Sequence, residues 1–146
     1  MLPQLLVTAH LIAVLFLTGL SWTVAVVVYP GFAQVGAGST WTAFHAAHSR
    51  RMTLVVGPPW AVQGLAVAGL LLDRPDDVPL VWVLVAGVAG AATVLLTVFG
   101  AVPLHAQLGD GFDVGVHRRL ERSHAWRTLA WTVAGVAAVV MQVLSA

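Results

Sequence analysis

Four long runs of apolar residues fill most of the chain, and short polar stretches separate them. The runs cover about residues 5–28, 52–72, 80–102 and 126–144. Each is close to the ~20 residues that an α-helix needs to cross about 30 Å of hydrocarbon. With polar turns added at their ends, the runs predict helices over residues 4–28, 41–72, 79–104 and 116–145. We therefore expect an all-α fold, an integral membrane four-helix bundle in which residues 1–146 form a single transmembrane domain.

The composition also indicates that lipid is the main solvent. Of the 146 residues, 59% are hydrophobic and only 9% are charged, so a soluble domain of this size would expose far too much apolar surface. The absence of cysteine excludes disulfides, thiolate metal sites and cysteine nucleophiles. With a net charge of +1 and no basic run, no nucleic acid partner is expected. The first apolar run is too long for a secretory signal, so we expect a retained helix.

The basic residues are all arginines, and they are distributed unevenly. Only Arg74 lies in the second connection between predicted helices. Six others flank the first and third connections: Arg50, Arg51, Arg118, Arg119, Arg122 and Arg127. Because cytoplasmic loops carry an excess of Arg and Lys, this bias predicts an orientation. We expect a multi-pass protein of the inner (plasma) membrane with the first and third connections in the cytoplasm and both termini outside.

The second predicted helix joins a polar first part to an apolar second part. Its first turns carry His45, His48 and Arg51 at spacings of three residues, which predicts one shared helical face. Gly57-Pro58-Pro59 follows, and because paired prolines remove two backbone donors, we expect a kink there that opens space between helices. The polar residues also suit the headgroup region, where Arg side chains snorkel. A purely anchoring role therefore stays open.

Polar and small residues mark the faces along which the helices are expected to pack. His10, Thr18 and Ser21 share one sector of the first helix. A titratable side chain such as His10 inside a membrane is a functional candidate by default, the alternative being a neutral histidine bonded to a neighbouring helix. Two further seams, on the third and fourth helices, consist of Ala86, Gly90, Thr93, Thr97 and Gly100, and of His124, Thr128, Trp131, Gly135, Ala138 and Gln142.

Polar residues from three helices are expected to converge at one end of the bundle. The second helix begins, the third ends and the fourth begins on the same side, which brings together His45, His48, His105, His124, Arg51 and Arg127. Imidazoles are common ligands of transition metals, so His45, His48, His105 and His124 form a candidate metal site. The His-x-x-His spacing is not the i, i+4 pair of known helical zinc motifs. Haem with His10 as an axial ligand fits less well, because His10 is predicted at another depth.

A second interpretation of the same residues needs no metal. Two arginines and several histidines beneath an apolar cavity suit an anionic or phenolic head group whose apolar body lies among the helices. The cofactor is thus left open between a transition metal bound by histidines, haem and none at all.

Short motifs spread over most of the chain resemble a known group of proteins. They are Val28-Tyr29-Pro30, Phe44-His45-x-x-His48-x-x-Arg51 with a proline seven residues later, Thr97, Pro103-x-His105-x-x-Leu108-x-x-Gly111, and Arg119-Leu120 before Trp126-Arg127-Thr128-x-x-Trp131. The pattern resembles a family of small four-helix bacterial membrane proteins of mostly unknown function. That family is similar in turn to the anthrone-oxygenase-like membrane proteins.

The resemblance implies an oxygenase that converts polycyclic phenols to quinones without an obvious standard cofactor site. It implies a catalytic site formed by His45, His48, Arg51, His105 and Arg127, with histidines as base or ligands and Arg stabilising a phenolate. At two positions the sequence differs from the family pattern, which weakens the assignment of this activity to the chain. Related sequences tend to have an acid where Gln63 stands and Asn where His124 or Ala125 falls.

Three classes of function therefore stay open. The first is an oxidoreductase or oxygenase that acts on a phenolic or quinone-like apolar substrate. The second is a non-catalytic binding or transport element for a lipid or apolar small molecule; a transporter would have to be a homo-oligomer, because four helices enclose little space. The third is an assembly subunit of a membrane complex, which would leave one small-residue seam facing lipid.

Overall fold

The regular secondary structure of the described residues is entirely helical. The computed structural model describes residues 1–36 and 38–146. In those residues, four helices are long and apolar enough to cross a membrane: α1 Leu2–Val35, α2 Trp41–Leu72, α3 Leu80–Gly109 and α4 Val114–Leu144. The predicted all-α four-helix membrane bundle is thus confirmed, and the chain is a multi-pass membrane protein.

Each helix packs against its neighbours in the chain, and α4 closes the bundle against α1. The helices α1 and α3 therefore lie diagonally opposite each other. Because the connections are short, consecutive helices run antiparallel. The Trp41 indole N–H of α2 donates to the Leu108 carbonyl of α3 over 2.7 Å. This contact lies at the end of the bundle where α1 ends and α4 begins, which we call the Arg-rich end because all the arginines except Arg74 are there.

The helix α1 is longer than predicted and continues past Pro30. The predicted helix stops at residue 28, just before Tyr29-Pro30-Gly31, but α1 runs on to Val35. A π-helical turn, Val24–Val28, comes just before the proline. In a regular α-helix the Pro30 ring would clash with the carbonyl of Val26, four residues earlier. The wider turn contains that carbonyl, so the helix passes the proline without ending.

The helix α3 shows the same arrangement at its own proline. The predicted helix stops at residue 104, just after Pro103, whereas α3 reaches Gly109. The π-helical turn Leu96–Ala101 precedes Pro103 and contains Phe99, whose carbonyl the proline ring would otherwise meet. Both wide turns contribute residues to the cavity described below.

The helix α2 is continuous from Trp41 to Leu72, although Pro58 and Pro59 lie inside it. Neither proline has a backbone N–H, so the carbonyls of Leu54 and Val55 lack their usual helical hydrogen bonds. As predicted, two backbone N–H donors are missing at the prolines, but the helix does not break there. The size of any bend there stays a prediction.

The predicted polar seams of α1 and α4 face each other. The Thr18 hydroxyl donates to the carbonyl of Trp131 over 2.9 Å, and the hydroxyls of Ser21 and Thr128 are 2.7 Å apart. Ser21, Thr128 and Trp131 are buried. Hydrogen bonds between helices satisfy polar groups that would otherwise meet hydrocarbon, and here they hold α1 against α4.

The small-residue seam of α3 makes room for a buried amide. Ala86, Gly90 and Thr93 are buried. A Cβ atom placed on Gly90 would lie 2.8 Å from Nε2 of Gln63, whose side chain is only 3% exposed. Glycine at this position therefore lets α2 and α3 approach closely around the Gln63 side chain.

The start of α4 is fixed by a side-chain cap, which gives a first prediction. Asp113 Oδ1 accepts a hydrogen bond from the Val116 N–H over 2.7 Å. Asp113→Ala should lower the free energy of unfolding by about 1 kcal/mol, because it leaves a helical donor without its cap. Asp113→Ser should retain most of the stability. Thermal unfolding in detergent measures the change, with Asp110→Ala as control; equal losses in Asp113→Ala and Asp110→Ala would contradict the capping role.

Candidate functional site

A cavity of about 360 Å³ lies between the helices near the Arg-rich end. Its walls include residues of all four helices, and apolar side chains such as Leu17, Val56 and Trp60 form most of the deeper part. The polar lining residues are Ser21, Tyr29, His48, Ser49, Thr53, Thr97, His105, His124 and Arg127. The cavity thus combines an apolar body with a polar end.

A chain of three polar side chains runs from the cavity into the helix packing. The Tyr29 hydroxyl is 3.3 Å from Nε2 of His105, and Nδ1 of His105 is 3.0 Å from Nε2 of His45. His45 is buried, stacks on Trp41 and lies outside the cavity lining. When both imidazoles are neutral, one of their two facing nitrogens carries the proton and the other accepts it. The state of His45 therefore fixes which nitrogen of His105 is protonated.

A second polar group joins α4 to α1 and α3. Nη2 of Arg127 is 2.6 Å from Nδ1 of His124, and Nε2 of His124 is 2.9 Å from the carbonyl of Ser21. Arg only donates, so His124 accepts at Nδ1 and donates its Nε2 proton to Ser21. Arg127 also donates to the Thr97 hydroxyl over 3.4 Å. Both ring nitrogens of His124 are thereby occupied.

The Arg127 guanidinium has no carboxylate partner in residues 1–36 and 38–146. In those residues, the contact of a carboxylate with a basic side chain is between Glu121 Oε1 and His117 Nε2, which are 3.4 Å apart. Arg127 itself is half-buried and borders the cavity. A cation held at this depth normally needs a counter-ion or several acceptors, and the acceptors around Arg127 are the hydroxyls of Thr97 and Tyr29 and the His124 imidazole.

The turn of α2 that carries His48 and Ser49 forms another part of the wall. The His48 ring packs edge-on against Phe32, with centroids 4.8 Å apart. The buried Ser49 hydroxyl has no hydrogen-bond partner within the described residues. A buried hydroxyl without a partner is unusual in a folded protein.

The structure brings together most of the predicted site residues, with Arg51 and His10 as the exceptions. His45 and His105 are hydrogen-bonded, and His48, His105, His124 and Arg127 border one cavity. Arg51 is exposed and outside the lining. A spacing of three residues drifts by about 60° per step, so Arg51 is turned about 120° away from His45. His10 is fully buried but does not border the cavity.

The predicted metal set is only partly assembled. Among residues 1–36 and 38–146, no three His, Asp or Glu side chains are grouped so that they could hold one metal ion. His124 donates and accepts elsewhere, and His45 faces His105 directly. A metal or haem cofactor therefore stays a prediction.

Four residues of the site were given no role in it by the sequence. Tyr29 was predicted to lie just beyond the first helix, although it is the only tyrosine of the chain and belongs to the Val28-Tyr29-Pro30 motif. Ser49 gave no signal. Trp60 and Trp131, with ring centroids 6.2 Å apart, form an aromatic wall; the spacing along α4 predicted Trp131 to face inward but gave it no cavity role.

Comparison of the chain with protein-family models, curated proteins and solved structures finds no match in any of the three.

Proposed function

We propose that this protein binds an apolar small molecule of the phenol or quinone class in the cavity between its four helices. The observation that carries the proposal is the division of the cavity into apolar walls and one polar end with Tyr29, His105 and Arg127. Small-molecule sites are typically apolar clefts of roughly 300–1,000 Å³ with a few polar groups. At about 360 Å³, this cavity suits a flat body of a few fused rings with one hydroxyl or carbonyl at the polar end.

We further propose that the bound molecule is oxygenated. A ring CH₂ group flanked by phenolic rings becomes a carbonyl: molecular oxygen supplies one atom to the product, and the other leaves as water with the two hydrogens. The substrate supplies the four electrons that reduce the oxygen. Support comes from the resemblance to anthrone-oxygenase-like proteins and from a base and a cation at the same end of the cavity.

The residues have distinct proposed roles in this reaction. His105 accepts the proton that the substrate loses, because it borders the cavity and its Nε2 lies at the polar end, 3.3 Å from the Tyr29 hydroxyl. His45 sets the tautomer of His105 through their shared hydrogen bond. Arg127 stabilises the negative charge that forms on the phenolic oxygen. His48 packs beside the head group, and the exposed Arg51 has no place in this scheme.

The proposed orientation puts the Arg-rich end in the cytoplasm, in line with the positive-inside bias. The polar end of the cavity is then near the cytoplasmic boundary, and the apolar body of the ligand lies within the membrane. A molecule dissolved in the bilayer could reach the cavity without crossing the aqueous phase.

The packing disfavours an assembly subunit. Such a protein would leave one small-residue seam facing lipid, whereas Ala86, Gly90 and Thr93 of α3 are buried within the monomer, and so are Thr128 and Gly135 of α4. Non-catalytic binding of the same class of molecule would use the same cavity, so an activity assay separates it from the oxygenase.

A glycine in the cavity wall offers a direct test of ligand binding. Gly57 borders the cavity, and a Cβ atom at Gly57 would meet nothing within 4 Å. Gly57→Phe should therefore fold and fill part of the cavity. We expect it to weaken the binding of 2-naphthol by at least about tenfold, because a filled site excludes the rings. Isothermal titration calorimetry in detergent measures the dissociation constant.

The matched control is Gly64→Phe. Gly64 lies on the same helix, has open space around its Cβ position and does not border the cavity. It should bind 2-naphthol like the wild type. Wild-type protein that fails to bind 2-naphthol, or a loss of equal size in Gly57→Phe and Gly64→Phe, would refute binding in this cavity.

A further inference from the structure

The charges around the cavity select the ionisation state of its ligand. Within residues 1–36 and 38–146, the cavity lining contains one arginine and no aspartate or glutamate. The acids at the same end of the bundle are Asp110, Asp113 and Glu121; Asp113 caps α4, and Glu121 is next to His117. No carboxylate is therefore in position to neutralise Arg127 from the protein side.

The hydrogen-bond donors that border the cavity also favour a negatively charged ligand. Arg127 has five donors, and its contacts with Thr97, His124 and the nearby Tyr29 hydroxyl use only part of them. The Ser49 hydroxyl has no partner there. The Thr97 hydroxyl already donates to the Thr93 carbonyl. Arg127 thus keeps donors that its protein neighbours do not use, and an oxygen of a ligand can accept hydrogen bonds from them.

We infer that the cavity binds its ligand as an oxyanion, with the negative oxygen paired to Arg127 and accepting a hydrogen bond from Ser49. This inference rests on the proposed function and deepens it: among apolar molecules of suitable size, the site prefers those that carry an ionised phenol, enol, carboxylate or phosphate group. Charge-assisted hydrogen bonds to Arg are roughly twice as strong as those between neutral groups. Removing the pair from water strengthens it further.

The test compares two probes of nearly equal shape, 2-naphthoate, which is ionised at pH 7, and the neutral 2-naphthamide. Wild-type protein in detergent should bind 2-naphthoate at least about tenfold more tightly. Arg127→Gln should reduce this ratio to about one, mainly by weakening 2-naphthoate. Arg127→Lys retains the charge and should retain most of the preference, and Ser49→Ala should lower it by a smaller factor.

Two further variants make the outcomes distinguishable. Arg122→Gln removes an exposed arginine of the same helix that does not border the cavity, so it should keep the wild-type ratio. Gly57→Phe corrects for partition of the probes into the micelle. Equal wild-type affinities for the two probes, with 2-naphthamide binding lost in Gly57→Phe, would overturn the oxyanion inference alone. Absence of cavity-dependent binding of either probe would overturn the proposed function as well.

Competition identifies the source of the oxyanion. Dodecyl phosphate carries a phosphate group on a single chain, as a lipid head group would. If dodecyl phosphate displaces 2-naphthoate from the wild type but not from Arg127→Gln, the site is assigned to lipid-like phosphates. Failure to displace 2-naphthoate would restrict the site to ionised aromatic molecules. Either result retains an oxyanion at Arg127.

Discussion

Replacing His105 with alanine is expected to lower the rate of anthrone oxygenation by about 10²–10⁴-fold, the usual contribution of a positioned general base. His105 is the histidine whose one nitrogen approaches Tyr29 in the cavity while the other is held by His45. Without it, the polar end loses the imidazole that His45 holds in position. An oxygen electrode measures the rate in detergent, with the detergent alone as the blank for spontaneous oxidation.

Two further histidine variants serve as comparisons for His105→Ala. His45→Ala should reduce the rate less than His105→Ala, because His45 lies outside the cavity and acts through His105. His10→Ala removes a fully buried histidine away from the cavity and should keep the rate of the wild type. An unchanged rate in His105→Ala would contradict the proposed base, and wild-type protein without oxygen uptake would leave a non-catalytic binding protein.

Gly90→Leu is expected to lower the free energy of unfolding by about 2–3 kcal/mol, in the upper range for overpacked cores. Even the first added carbon would lie 2.8 Å from the Gln63 amide nitrogen. The buried Gln63 side chain would have to move within closely packed helices, and the displacement strains the contact between α2 and α3. Titration with a denaturing detergent, followed by circular dichroism, measures the change.

A double variant isolates the cause. Gln63→Ala removes the amide that the leucine would meet, so Gly90→Leu should cost less stability in the Gln63→Ala background than in the wild type. Gly64→Leu adds the same side chain at a position with open space and should have little effect. Equal costs of Gly90→Leu in both backgrounds would show that the Gln63 contact is not what limits the packing.

The fold could be predicted from the sequence because length and hydropathy together decide which segments cross a bilayer. The helix ends could not, since the usual effect of proline is to stop an α-helix. At Pro30 and Pro103 a π-helical turn places the expected clash in a wider part of the helix. Whether a chain forms a π-helical turn before a proline depends on how other helices pack around that turn, and the local sequence does not show this packing.

The candidate site could be predicted only in part from the sequence. Antiparallel helices bring His45 and His105 to one end, and the structure joins them. Tyr29 was missed because it enters the cavity only if α1 continues beyond Pro30. Arg51 was included because residues three apart lie near the same face of a helix. Arg51 is six residues from His45, however, and with 3.6 residues per turn the two steps of three add up to a rotation away from that face.

The most direct test of the account is to find where a ligand binds. Photolabelling in native membranes with a diazirine derivative of 2-naphthol, followed by peptide mass spectrometry, locates the bound molecule. We predict labels on the cavity wall, at residues such as Met52, Trp60 and Trp131, and loss of these labels when unmodified 2-naphthol is added. Labels spread over lipid-facing residues such as Leu65 and Phe99, with no competition, would contradict the cavity as the functional site.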